Sequence, residues 1–162
     1  MEHIVFTQPG MRYCQAQALV YYLMKDDAFF SLSEIEKNAV AERILEEVRG
    51  RMMEEIILLE TSKALPARYR VFKLQFDAGE FDMVVYDSVE NTCRIYEIKH
   101  SELAVPEQCR HLLDEEKCTA TERRFGKITG KYLIYRGSSM ENSDGIKYLS
   151  VSEYLRSLPA NN

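Results

Sequence analysis

Three side chains near the middle of the chain have the types and spacing for metal-assisted hydrolysis. Gly79-Glu80-Phe81-Asp82-Met83-Val84-Val85 puts Asp82 at the head of one expected strand. Ile95-Tyr96-Glu97-Ile98-Lys99 puts Glu97 and Lys99 at the tail of the next. Residues two apart on a strand share a face, so Glu97 and Lys99 project together. A hairpin folds the start of one strand against the end of the other, so the carboxylates of Asp82 and Glu97 can converge at one end of the sheet. Converging carboxylates repel, and burial raises the pKa of at least one. A divalent cation removes that penalty, and hard oxygen ligands suit Mg²⁺ or Mn²⁺, which keep several waters. Lys99 could orient such a water or stabilise charge building on a phosphate, so the set describes metal-assisted phosphodiester hydrolysis. A plainer reading stands beside it. Polar residues at strand ends often face solvent, and a surface Glu97–Lys99 pair contributes less than about 1 kcal/mol. Glu115-Glu116-Lys117 repeats the Glu-x-Lys spacing in a helical context, where the two side chains diverge.

The elements that must position these groups are readable from periodicity. Gln8-Pro9-Gly10 punctuates the start, and Met11 to Met24 reads as a helix through Met11, Ala18, Leu19, Tyr22 and Leu23. Ser33 with Glu36 is a capping-box pattern that opens a second, long helix. Val40, Ile44, Val48, Met52 and Ile56 step by four as its core stripe. Gly50 predicts a break, a kink or a close contact, and Pro66 a stop. The period then changes. Tyr69 to Phe76, Phe81 to Tyr86 and Thr92 to Ile98 read as three strands joined by tight turns, an antiparallel meander. Beyond Pro106, Glu107 to Lys117 reads as a helix, and Thr119 to Gly130 as a loop over the site. Lys131 to Arg136 is an apolar strand of the buried parallel kind. A further strand, Ile146 to Val151, precedes a short helix capped by Ser150 and Glu153 and ending before Pro159. The expected class is α/β, a mixed sheet flanked by helices, with residues 1–32 as an N-terminal helical arm.

Composition bounds the reading. At 162 residues, 46% apolar and 29% charged, the chain fits one folded domain with a short arm. The net charge of −5 argues against coating nucleic acid by bulk charge, though not against a local basic groove. No membrane span and no secretory signal are expected. Cys14, Cys93, Cys109 and Cys118 form no CxxC pair and are expected as reduced thiols of a cytoplasmic protein. His100, Cys109, His111 and Cys118 could be read as zinc ligands, but Cys109 and His111 would diverge on a helix, and thiols without metal are the preferred reading.

With these residues in place, the chain resembles the PD-(D/E)xK nuclease-like superfamily, whose fold is restriction-endonuclease-like. The match runs through Gly50-Arg51-Met52-Met53-Glu54, Gly79-Glu80-Phe81-Asp82 and Glu97-Ile98-Lys99. More narrowly, it resembles a C-terminal domain of unknown function found in bacterial and archaeal AAA-type ATPases. Thr7-Gln8-Pro9-Gly10-Met11-Arg12-Tyr13 and Tyr96-Glu97-Ile98-Lys99-His100-Ser101 share that flavour, and the likeness covers roughly Gln8 to Arg136. The resemblance implies an α-β-β-β-α-β core over residues 33–162 and Mg²⁺ or Mn²⁺ held by Asp82, Glu97 and the carbonyl of Ile98. It implies that Lys99 assists the nucleophilic water. Glu54 would be the helical acid, with Glu55 as its rival, and Gln108 falls where some members carry a site glutamine. The arm would link to an upstream ATPase module, since GxxxxGK[ST] is absent from these 162 residues.

Expected partners are DNA and an ATPase module or another protein, with no membrane. Arg70 and Lys73, among Lys63, Arg68 and interleaved aromatics, form one candidate phosphate-tracking rim, and Arg123 and Arg124 belong to a second basic stretch. Solvated faces of a mixed-charge surface are the plainer account of both. The expected function is a metal-dependent DNA phosphodiesterase. The alternative is a catalytically inactive nuclease-fold module for DNA binding or protein interaction.

Overall fold

A computed structural model describes residues 9–141 and 145–160. Thr7 and Gln8, at the start of the Thr7–Tyr13 phrase quoted above, lie outside the described residues. The chain forms two compact units, residues 1–56 and 57–162, with the division falling inside the third helix.

The first unit holds α1 (Pro9–Leu23), α2 (Asp27–Phe30) and most of α3 (Glu34–Ala64). Asp26 caps α2, its carboxylate accepting from the N–H groups of Ala28 at 2.9 Å and Phe29 at 3.1 Å. The capping box of α3 forms. The Glu36 carboxylate accepts from the Ser33 N–H at 2.9 Å, and the Ser33 hydroxyl accepts from the Glu36 N–H at 3.3 Å. Of the break, kink or close contact expected at Gly50, the break does not occur, for α3 runs unbroken over 31 residues. A single interior glycine costs about 1 kcal/mol. Helical charge pairs flank it, Arg49–Glu46 at 2.7 Å and Arg51–Glu47 at 3.2 Å. The stripe stepping by four is half-buried at Ile44, Val48 and Met52 but exposed at Val40 and Ile56. Each step of four advances about 40° around a helix, so five positions cannot share one narrow face. On α1, Met11, Leu19 and Tyr22 are exposed, and Ala16 is buried.

The second unit is built on a six-stranded sheet. Its strands are β1 (Tyr69–Gln75), β2 (Glu80–Asp87), β3 (Thr92–Lys99), β4 (Lys127–Tyr135), β5 (Met140–Glu141) and β6 (Ile146–Ser150), in spatial order β1-β2-β3-β4-β6-β5. The first three form the antiparallel meander, β3–β4 and β4–β6 pair in parallel, and β5 adds antiparallel to β6. The class is thus α/β with a mixed sheet, as the alternating pattern followed by an apolar strand led one to expect. α4 (Glu115–Phe125) packs on β3 and β4, and α5 (Val151–Ser157) on β4 and β6. One core gathers Val84, Ile95, Leu133, Ile146 and Tyr148 from the sheet with Cys109 and Leu112 from the segment before α4. On the opposite side of β3, Tyr96 stacks on Tyr132 at 4.8 Å, and Tyr154 of α5 meets both Tyr96 and the Thr61 hydroxyl. No described helix is long and apolar enough to cross a membrane.

The connection between β3 and β4 departs from expectation. Instead of a helix over Glu107–Lys117, a 3-10 turn spans Pro106–Cys109, and α4 begins at Glu115. Asp114 dictates that start, because its carboxylate accepts the Lys117 N–H at 3.1 Å as an N-cap. The segment Thr119–Gly130, expected as a loop, is the body of α4 and the first residues of β4. Gly126 closes α4 at φ +70°, where an added Cβ would sit 1.7 Å from the backbone oxygen of Asn91. Substituting Gly126→Ala combines a strained dihedral with a backbone clash. It should destabilise the fold by about 2 kcal/mol or more, read as a lower urea midpoint at unchanged m-value.

Candidate active site

Two irregularities in the meander create the site. Phe72 pairs with Val84 and Leu74 with Phe81, so Asp82 and Met83 together stand opposite Lys73 alone. This is a β-bulge, which re-aims the side chain it carries. The β2–β3 ladder ends at Met83–Tyr96. Just past that end, the Asp82 carboxylate replaces the missing backbone acceptor, Oδ2 taking the Ile98 N–H at 2.7 Å. The N–H and C=O of a strand residue point to the same side, so the Ile98 carbonyl is turned toward β2 as well.

Glu97 follows Cys93 and Ile95 in the alternation of β3 and is therefore carried onto the face of the core. Both acids are buried, Asp82 to 4% exposure and Glu97 to 1%. The Lys99 ammonium lies between them, donating to Asp82 Oδ2 at 2.8 Å and pairing with Glu97 Oε2 at 2.6 Å. Burial, and then the Asp82 charge, push the Glu97 carboxyl up to about 8 against the opposing effect of Lys99. The charges of Asp82 and Glu97 outweigh burial at Lys99 and hold its pKa above the ordinary lysine value. Glu97 Oε1 is buried with no hydrogen-bond partner among the described residues. An oxygen in that position costs about 1–3 kcal/mol unless something else ligates it. A carboxylate oxygen of Glu80, two residues before Asp82, lies within 4.8 Å of one on Asp82. Carboxylates are hard oxygen donors of the kind Mg²⁺ and Mn²⁺ take, and the Glu97 oxygen is left unsatisfied.

A cavity of about 250 Å³ opens beside the acids, lined by Glu97, Lys99, Glu107, Gln108, Arg110 and His111. Gln108 therefore lies at the site, but its amide is tied locally, accepting from the Val105 N–H at 3.2 Å and donating to the Ser101 hydroxyl at 2.9 Å. Glu80, Arg110 and His111 were not among the expected site residues. Glu80 could have been found by its i, i+2 relation to Asp82. Arg110 and His111 follow Gln108 closely, but the helix expected there hid the turn that presents them.

Glu54 is half-buried on α3 and belongs to the first unit, as does the buried Glu55. Lys73 is near the site, its ammonium 3.8 Å from Glu80, whereas Arg70 is exposed farther along β1, opposite Tyr86. Arg123 and Arg124 occupy the last turn of α4, next to Gly126, which abuts Asn91 at the β2–β3 turn. That turn is at the far end of the eight-residue β3 from Lys99, about 23 Å away. The two arginines are therefore not brought to the acids. No His/Cys group with metal-ligand spacing forms among the described residues. Cys109 donates to the Tyr148 hydroxyl, and His111 lies 2.8 Å from the Lys117 ammonium.

No family model matches this chain, and no curated protein or solved structure matches it either.

The raised Glu97 pKa sets a pH dependence. In the metal-free fold Glu97 prefers its proton, while the unfolded chain ionises near 4.5. Its contribution to stability is full below pH 4.5 and is lost as pH rises toward about 8. Glu97→Gln should flatten the Tm profile over that window and raise the metal-free Tm at pH 8 by several degrees. Added Mn²⁺ should stabilise the wild type more at pH 8 than at pH 5, because the ion binds the ionised carboxylate. Thermal unfolding across pH, with and without Mn²⁺, reads both effects.

Proposed function

We propose that the second unit is a divalent-metal-dependent phosphodiester hydrolase with a restriction-endonuclease-like core, acting on DNA. The observation that carries this reading is the bare, buried Oε1 of Glu97 next to Asp82. A purely structural ion pair has no need of an unsatisfied oxygen in the core. The order of helix, three-strand meander, helix and strand supports the PD-(D/E)xK relationship, as does the Asp82, Glu97, Lys99 set at the end of the meander.

In this reading Asp82, Glu97 and the Ile98 carbonyl would hold Mg²⁺ or Mn²⁺, and Glu80, within 4.8 Å of Asp82, could add an oxygen. The ion would supply Lewis-acid stabilisation of charge building on the phosphate. Asp82 keeps its position through the Ile98 N–H, which fixes one oxygen and leaves Oδ1 for a ligand. The ammonium of Lys99 moves from between the acids to the attacking water, where it orients the nucleophile and stabilises its developing negative charge. On its resemblance to the C-terminal domain of AAA-type ATPases, the protein would serve as a module of such an enzyme; the 162 residues themselves contain no P-loop motif.

The second reading is an inactive module that binds DNA or protein. The closed Lys99 bridge favours it, since both acids already have a counter-cation within 2.8 Å. Manganese separates the two. If the hydrolase reading holds, supercoiled plasmid is nicked in Mn²⁺, and Asp82→Asn abolishes both nicking and calorimetric Mn²⁺ binding. Lys99→Met should lower the nicking rate by about 10²–10⁴-fold while leaving Mn²⁺ binding intact or tighter, because the competing ammonium is gone. Absence of Mn²⁺ binding in the wild type would overturn the hydrolase reading in favour of the inactive module.

A further inference from the structure

The segment between the 3-10 turn and α4 contains a hydrogen-bonding conflict. Lys117 Nζ lies 2.8 Å from His111 Nδ1, and Arg110 Nε lies 3.4 Å from His111 Nε2. Ammonium and guanidinium groups only donate, and a neutral imidazole has a single acceptor nitrogen. The ring therefore accepts from one of them. The shorter contact assigns the lone pair to Nδ1 and the proton to Nε2, so two N–H donors, of His111 and Arg110, face each other without an acceptor. Burial and the charges of Lys117, Arg110 and Lys99 hold His111 below the ordinary imidazole range, so at neutral pH the ring keeps one acceptor nitrogen and one N–H. Gly79 packs against the ring, so closely that a Cβ there would sit 2.5 Å from its Cε1.

Two convergent donors beside a cation are a cradle for an anionic oxygen. Both groups line the cavity of about 250 Å³ that also exposes Lys99. The carboxylates on its walls are Glu97, tied to Lys99 at 2.6 Å, and the exposed Glu107. We propose that Arg110 and the Nε2–H of His111 clamp a phosphate group beside the acid pair. Naming it a phosphate of the nucleic-acid strand rests on the hydrolase reading, whereas the clamp itself rests only on the donor geometry. It would position the strand rather than attack it.

The test uses the full chain without metal, so it does not depend on turnover. Inorganic phosphate is titrated at pH 7.5 while the His111 and Arg110 side-chain resonances are followed by NMR. Saturable shifts of both are expected. Arg110→Gln, at an exposed position, should weaken binding by about tenfold, as expected for losing one charge-assisted hydrogen bond. His111→Gln, which keeps an N–H donor, should weaken it less than His111→Leu. Absence of saturable shifts in the wild type would overturn the clamp, as would unchanged phosphate affinity in Arg110→Gln. Saturable binding without Mn²⁺-dependent nicking would uphold the clamp and overturn the hydrolase reading alone.

Discussion

The second unit is organised around one electrostatic constraint: two carboxylates forced into the core at the open end of a hairpin, with one ammonium between them. Asp82 and Glu97 could not both be buried in an apolar sheet without help. Lys99, two residues from Glu97 on the same face, provides it at 2.8 and 2.6 Å. Removing the ammonium would be costly, because the acids would then be buried without a counter-charge. The bulge at Asp82–Met83, the shortened β2–β3 ladder and the side-chain bond to the Ile98 N–H all serve this arrangement. A ladder continued for two more residues would have satisfied Ile98 with backbone and left Asp82 without that anchor.

The meander and the pairing of acids were legible because they depend on short-range signals. Alternation in Thr92–Ile98 and the turn residues around Gly79 define strands and hairpins directly. The burial of Glu97 could also have been read, for it falls in phase with Cys93 and Ile95. Helix α3 misled because Gly50 is a local signal, and a long helix tolerates one such residue. The bulge was hidden because inserting one residue into an apolar run leaves no compositional trace. The Glu107–Lys117 helix was misplaced for a clearer reason: Pro106 and Asp114 are both helix-start signals, and the later one sets α4.

That misplacement concealed the most chemically loaded part of the connection. Had a helix run from Glu107, Arg110 and His111 would have faced different directions on successive positions. The tight turn at Pro106–Cys109 instead delivers both to one cavity wall next to Glu97. Arg123 and Arg124, prominent as a basic pair in the linear sequence, finish at the opposite end of β3. Clustering along a chain and clustering in space part company here because α4 and β3 are both extended elements.

The position of Lys99 has a consequence for how the protein is made. Asp82, Glu97 and Lys99 all belong to one hairpin, whereas the neighbouring parallel strand β4 is contributed by residues 127–135. The hairpin closes over a short loop and brings its own ammonium to the two acids. The acids and their counter-charge are drawn from one short stretch of chain, so their pairing is a contact of low sequence separation.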